Sequence, residues 1–279
     1  MSAAETIIEE QHDLGAIHRL TKDLRAASKT LTDDEARYLV DLYYTTQANR
    51  IRAAAQVRES SSAGEPNALL QWAFANFDIT EKGIRSALGL YAQTKTAGVW
   101  MLSVHGIGPV ISAGMLAHID ITKAPTVGHI WRFAGLDPSV KWEKKTKRPW
   151  NAALKTLCWK AGQSFMKLRA SEKDFYGGVY EERKRYEIER NESGGNAEAA
   201  AAQLVEKKIG KNPTREHLEA GRLSPAQIDA RARRYAVKLF LAHLHHVMYE
   251  SHYGEPPPKP YAIAHLDHAH AIQVPGWPT

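Results

Sequence analysis

The amino-acid sequence predicts an all-α fold, and three observations carry that prediction. Apolar residues recur three or four positions apart over most of the chain, the spacing of one helix face. Thr32-Asp33-Asp34-Glu35 and Ser224-Pro225-Ala226-Gln227 have the residue types of helix capping boxes, and the alternating patterns that mark half-buried strands are scarce. The elements divide into an N-terminal helical hairpin or coiled-coil arm over 1–97 and a central helix-hairpin-helix domain over 98–170. Charged helices follow over 171–279, ending in a long C-terminal helix and an irregular, proline-rich tail.

Element by element, Ile7, Ile8, Leu14, Ile17, Leu20 and Leu24 outline a short amphipathic helix near the start. The Thr32 hydroxyl and Glu35 carboxylate can satisfy free amides of a helix running from there to about Glu59. Ser60-Ser61-Ser62-Ala63-Gly64-Glu65-Pro66 has the composition of a connector, since serine competes for backbone hydrogen bonds and Gly and Pro break helical geometry. Two helices are expected next, near 67–77 and 80–96. Tyr38, Leu42, Ile51 and Ala55, then Leu69, Trp72, Phe74, Ile84, Leu88 and Tyr91, supply apolar stripes. Those stripes suit either a core-forming bundle or an arm that pairs two copies of the chain as a homodimer.

A helix over 148–170 shows Trp150, Leu154, Leu157, Ala161, Phe165 and Leu168 on one side. Opposite charges at helical spacing between Tyr180 and Arg190 describe a solvated helix, which Asn191 to Asn196 interrupts with Ser-Gly-Gly. Asn212-Pro213 and Ala220-Gly221 punctuate the next stretch, and the Ser224 box opens a helix reaching about His252. Gly254 to Pro260 is an extended exit.

Composition narrows the function. With 43% hydrophobic and 24% charged residues the chain has a globular mix rather than a disordered or fibrous one. A net charge of +6 over 279 residues favours polyanionic partners. Cys158 is the single cysteine, so no intrachain disulfide and no thiolate-rich zinc site can form, which fits a reducing cytoplasm. No run of about 18 apolar residues is present and the first residues are not apolar, so neither a membrane span nor a secretory leader is expected. No cofactor is expected.

Leu102 to Leu116 has the pattern of a helix-hairpin-helix. Gly106 and Gly108 let the backbone turn tightly and approach a sugar-phosphate chain, while Ile107 between them anchors the turn. Pro109 suits the first helical turn, and the amides of Gly108, Val110 and Ile111 would point at a phosphate at the positive end of the helix dipole. Such a contact holds the backbone and carries no base sequence. The competing possibility is a turn between packed helices; the small Ala113 and Gly114, which let two helices approach, accompany the functional pattern. Downstream, Lys141, Lys144, Lys145, Lys147 and Arg148 are interleaved with Trp142 and Trp150, a combination that holds phosphates and stacks on bases, or forms a solvated basic loop. Arg231, Arg233, Arg234 and Lys238 make a basic face on the last helix, with Arg231 and Arg234 as second phosphate contacts. His243 and His246, one turn before Glu250, and then His265, His268 and His270, have the residue types of a zinc or manganese site, with helix packing as the alternative.

The stretch from Val99 to about Leu168 resembles the C-terminal domain of the DEDD-type, bridge-RNA-guided insertion-sequence transposases. The resemblance rests on Met101 to Pro109, His118-Ile119-Asp120 and Trp131-Arg132-Phe133-Ala134-Gly135-Leu136-Asp137-Pro138, in that order. That family has a RuvC-like domain with four metal-binding acids, opening on a strand that carries an aspartate. Here the early acids Asp33, Asp34, Glu35 and Asp41 sit at a helix start. The family's nucleophilic serine lies in a Ser-Gly pair, whereas Ser139, the serine at the corresponding place, is followed by Val140. Asn151 stands where the family has a Lys-x-Gly-Asn segment. The resemblance therefore implies a mobile-element- or phage-related protein that binds double-stranded DNA without cutting it. A divergent recombinase or nuclease subunit completed by a partner or metal, and an RNA-binding protein, are the alternatives.

Overall fold

The computed structural model describes residues 20–64, 67–143, 145–206, 209–258 and 272–278, and every regular element among them is helical. Of the first helix, expected to reach about Ser28, the part before Leu20 falls outside these residues, and Lys22–Ala27 is helical. The chain clusters into two units: the described residues up to Leu102 with Gly108–Asp120, and Ser103–Ile107 with those from Ile121 onward. The chain crosses from one to the other three times, after Leu102, after Ile107 within the Gly106-Ile107-Gly108 motif, and after Asp120.

The first unit holds α1 (Lys22–Ala27), α2 (Asp33–Ala63), α3 (Ala68–Gln93), α4 (Thr96–Ser103, but for its last residue) and α5 (Pro109–His118). At the start of α2 the predicted capping box forms, with Glu35 N donating to Thr32 Oγ1 at 3.3 Å and Thr32 N to Glu35 Oε2 at 2.8 Å. This helix runs beyond the expected end at Glu59. Ser61 and Ser62 turn their hydroxyls back onto the carbonyls of Val57 and Glu59, at 2.7 and 2.6 Å, so they extend the helix instead of breaking it. Likewise α3 is one helix where two were expected, because nothing between 77 and 80 breaks it and Asp78 pairs with Lys82 one turn on, at 2.6 Å.

Packing in this unit centres on α5, which lies against both α2 and α3. The approach is close: a Cβ on Gly89 would sit 3.5 Å from Pro109. Leu88, Tyr91, Ala92, Trp100, Met101, Ala113, Met115 and Leu116 are buried there. Tyr38, Ile51, Leu69 and Trp72, also in the predicted stripes, are exposed. The apolar stripe is longer than the short α5 that covers it. Polar ties complete the packing. Tyr91 Oη and Lys95 Nζ donate to Asp33 Oδ1 at 2.6 and 2.7 Å; burial opposes ionisation of Asp33, but these bonds outweigh it and hold its pKa below the usual value. Arg50 and Gln47 both meet the buried Glu81 across α2 and α3.

The second unit holds α6 (Val127–Phe133), α7 (Ala152–Leu168), α8 (Phe175–Glu192), α9 (Ala197–Glu206), α10 (Pro213–Glu219) and α11 (Pro225–Tyr253). Its spine is α11, which contacts α6, α7 and α8. Three rings join the spine to its neighbours: Phe165 stacks on Tyr176 at 4.9 Å, and Phe240 meets both edge-on at 5.7 and 5.4 Å. Close helix approach is also needed at Gly162, where a Cβ would come within 3.0 Å of Val237. As expected, Ser193-Gly194-Gly195 ends α8; Gly194 has φ +81°, and the buried Asn191 bridges to Leu223 through both its amide groups, at 3.0 and 2.8 Å.

Two histidines are built into this packing. His243 Nε2 donates to the Ile272 carbonyl at 3.0 Å, so Nδ1 accepts from Tyr176 Oη at 2.8 Å. His245 Nε2 meets the Ala124 carbonyl at 2.8 Å. Burial pushes the His243 imidazole down to about 4 and lowers His245 as well. A histidine kept neutral in the fold but protonated when unfolded costs stability as pH falls. The loss should begin near the ordinary value of 6.5 and be complete near 4, amounting to roughly 3 kcal/mol for His243. Urea denaturation between pH 7 and 4 should therefore show falling stability of the second unit, with a shallower fall in His243→Gln. Equal slopes for the two proteins would show that His243 is not responsible.

Candidate nucleic-acid interface

The hairpin is built from a left-handed glycine and an extended one. After α4 the chain turns through Val104 and His105, with Ile107 N bonded to Val104 O at 3.0 Å. Gly106 has φ +89°, and Ser164 Oγ of α7 donates to its carbonyl at 2.7 Å. A Cβ at Gly106 would lie 3.0 Å from that hydroxyl and 3.1 Å from Leu168. Ile107 is buried, as an anchor should be. Gly108, at φ −97° and ψ 177°, is the N-cap of α5 with Pro109 at its first turn, and no side chain caps the helix. Nothing lies within 4 Å of the place a Gly108 Cβ would occupy. Thus the two glycines differ: Gly106 serves the turn and its packing, whereas Gly108 faces open space beside the first amides of α5. Val110 is buried and Ile111 half-buried, and their amides belong to the first turn of α5, where backbone donors have no partner within the helix.

The second cluster belongs wholly to the second unit and grows from the Ala134-Gly135-Leu136 turn that ends α6. Gly135 has φ +66°, and a Cβ there would come within 2.8 Å of the Trp150 ring. Glycine at 135 therefore provides both the left-handed turn and the seat for Trp150. Asn151, bonded through its amide to Phe133 O at 2.8 Å, caps α7 by accepting from Leu154 N at 2.9 Å. Its role in the fold is to close the loop 134–150 onto α6. Trp142 meets Trp150 edge-on at 6.3 Å and donates its indole N–H to Thr146 O at 3.0 Å.

Cations gather on these rings. Lys155 Nζ lies 4.1 Å from the Trp150 centroid and Arg148 lies 5.5 Å from that of Trp142. Lys238 Nζ is 4.0 Å from the Trp131 centroid, and the Trp131 indole donates to Lys238 O at 3.1 Å. Desolvation, with the positive charges of Arg234 and Arg148, lowers the pKa of Lys155. Burial and Arg234 lower Lys238 too, against the pull of Asp137. Lys141, Lys145, Lys147, Arg148 and Arg234 are exposed. Lys144 lies outside the described residues. An exposed array of like charges with aromatic surface between them suits phosphates and bases.

Other predicted residues are placed differently. Arg231 is half-buried and bonded to Asn196 Oδ1 at 2.8 Å and to the buried Glu187 at 3.4 Å, which makes it an internal tie. Ser139 Oγ donates to Asp137 Oδ1 at 2.7 Å, and its amide donates to the same oxygen at 2.9 Å. Both ring nitrogens of His243 are engaged, and His246 pairs with Glu250 at 3.3 Å. No group of three or more metal-ligating side chains occurs among the described residues; His265, His268 and His270 lie outside them. Lys155 and Trp159 were missed in the sequence, where their place on a helix gave only a packing signal, and Lys238 was read as part of a basic face without its partner Trp131. The Trp150 to Lys155 and Trp131 to Lys238 pairings depend on the fold. No described helix is long and apolar enough to cross a membrane.

The two hairpin glycines should behave differently on substitution. Gly106→Ala should lower stability by about 1–2 kcal/mol, since a left-handed backbone and a tight Cβ are both imposed on it, whereas Gly108→Ala should lose only the smaller advantage of glycine over alanine at an N-cap, under about 1 kcal/mol. Equal losses would show that Gly108 is also packed.

No curated protein and no solved structure matches the chain. Residues 100–177, which hold the hairpin, the Gly135 turn and α7, match the model of the transposase IS116/IS110/IS902 family and are similar to it.

Proposed function

We propose that the chain is a mobile-element-related DNA-binding protein that holds the phosphate backbone without cutting it. The observation that carries this reading is the grouping of Arg148, Lys155 and Arg234 beside exposed tryptophan surface, at a cost in mutual repulsion that a phosphate would relieve. The uncapped start of α5 at the open Gly108 supplies a second backbone contact. Three of the four early acids support binding over cleavage, because Asp33, Asp34 and Glu35 are engaged by Lys95, Arg37 and Thr32.

Duplex binding should weaken steeply with salt. Replacing Arg148, Lys155 and Arg234 together by alanine should make the slope of log affinity against log salt shallower by about 3. Gly108→Val should weaken duplex binding while thermal stability is retained. Fluorescence anisotropy over a salt series measures both, with an RNA duplex as competitor. An unchanged slope in the triple variant would remove this face from the interface, and preferential binding of RNA would replace DNA as the partner.

A further inference from the structure

Of the rings in the basic cluster, Trp150 and Trp142 are already occupied: the first by Gly135 and Lys155, the second by Trp150, Arg148 and Thr146. Trp159 is different. It lies on α7 one turn beyond Lys155 and is 59% exposed. With Arg148, Trp150, Ala152, Lys155 and Thr156 it lines an open depression of ≈ 390 Å³, within the range of about 300–1,000 Å³ typical of small-ligand sites. Among the described residues no carboxylate lines it, and Thr156 closes its hydroxyl onto Ala152 O at 3.0 Å. Its walls are thus one open indole and two cations. An occupant that satisfies both is flat, aromatic and anionic.

A nucleotide has that chemistry, but in an intact duplex the face of each base is covered by its stacked neighbours. Duplex DNA can offer this depression phosphates and groove edges only. A strand with an unstacked base can also offer a π-face, and base–aromatic stacking is tolerant of sequence. We infer that the depression takes one unpaired nucleotide of a DNA strand, its base against Trp159 and its phosphate against Arg148 and Lys155. The inference rests on the proposal that this unit binds nucleic acid, and it sharpens the substrate from duplex backbone to DNA with an unpaired base.

Anisotropy with the full chain and labelled DNA of one sequence tests it, using a single strand, a perfect duplex and a duplex bearing one bulged nucleotide. The natural protein should prefer the strand and the bulge to the duplex. Trp159→Ala should lose about 5- to 150-fold in affinity for the first two, the range for one stacked base, and keep its affinity for the duplex; Trp159→Phe should retain most of the strand affinity. Because the side chain is exposed, the thermal melt of the alanine variant should match the natural one. Equal losses on all three DNAs, or no loss on the strand, would overturn the unpaired-base site while leaving duplex binding in place. An RNA strand held more tightly than the DNA strand would overturn the assignment to DNA. A natural protein that binds none of these probes would remove the proposed function and this inference together.

Discussion

Burial of Phe165 between Tyr176 and Phe240 is the constraint on which the second unit depends. These three rings come from α7, α8 and α11, and each is fully buried. Aromatic pairs of this kind contribute about 0.5–1.5 kcal/mol beyond the area they bury, and they fix the rotation of α7 about its own axis. With Phe165 inward, Leu154, Leu157, Cys158 and Ala161 are inward as well. Lys155, Thr156 and Trp159 are then left on the outer side. One packing decision therefore produces both the core and the cationic, aromatic surface, and α11 brings Arg234 to the same surface by packing on α7.

Gly135 acts at the other end of that surface. Its left-handed backbone ends α6 and opens the space in which Trp150 lies. Trp150 is in turn the ring over which Lys155 sits and against which Trp142 leans. A side chain at 135 would displace Trp150 and with it the contacts of Lys155 and Trp142. Here the structure explains why a short Ala-Gly-Leu turn accompanies a basic loop so close in sequence: the turn is the loop's foundation.

Much of the fold was legible in the sequence because it depends on local rules. Both capping boxes, the break after Glu192 and the long last helix follow from side chains bonding to backbone within a turn of themselves. The errors were local as well. Serines read as breakers became helix extenders once α2 could continue beneath them. The site was only partly legible. Gly106, Gly108 and the Lys141 to Trp150 stretch stand out as motifs, but nothing in the sequence separates Trp159 from the core positions around it. Arg231 and Arg234 look equivalent on paper, yet the first is bound to Glu187 and Asn196 from neighbouring elements and the second is exposed. Spacing along one helix cannot distinguish them, because the carboxylate that takes Arg231 comes from α8.

The charge pattern argues for a ligand more strongly than the net charge does. Several cations elsewhere in this protein are paired with carboxylates, as Arg50 with Glu81, Lys95 with Asp33 and Arg183 with Glu187. Around Lys155 the acting charges are both positive, and its protonated form is disfavoured by burial and by those neighbours. The mutual repulsion in that arrangement works against the fold, since surface charges left apart would repel less. An anion placed among them reverses the sign of the local interaction and favours the charged form of Lys155, so binding and protonation reinforce one another. Aromatic rings beneath the cations strengthen this by excluding water on one side and adding cation–π attraction of about 0.5–1 kcal/mol per exposed pair. The occupant we propose, a phosphate chain that also presents a base, answers both the charge and the open ring of this cluster.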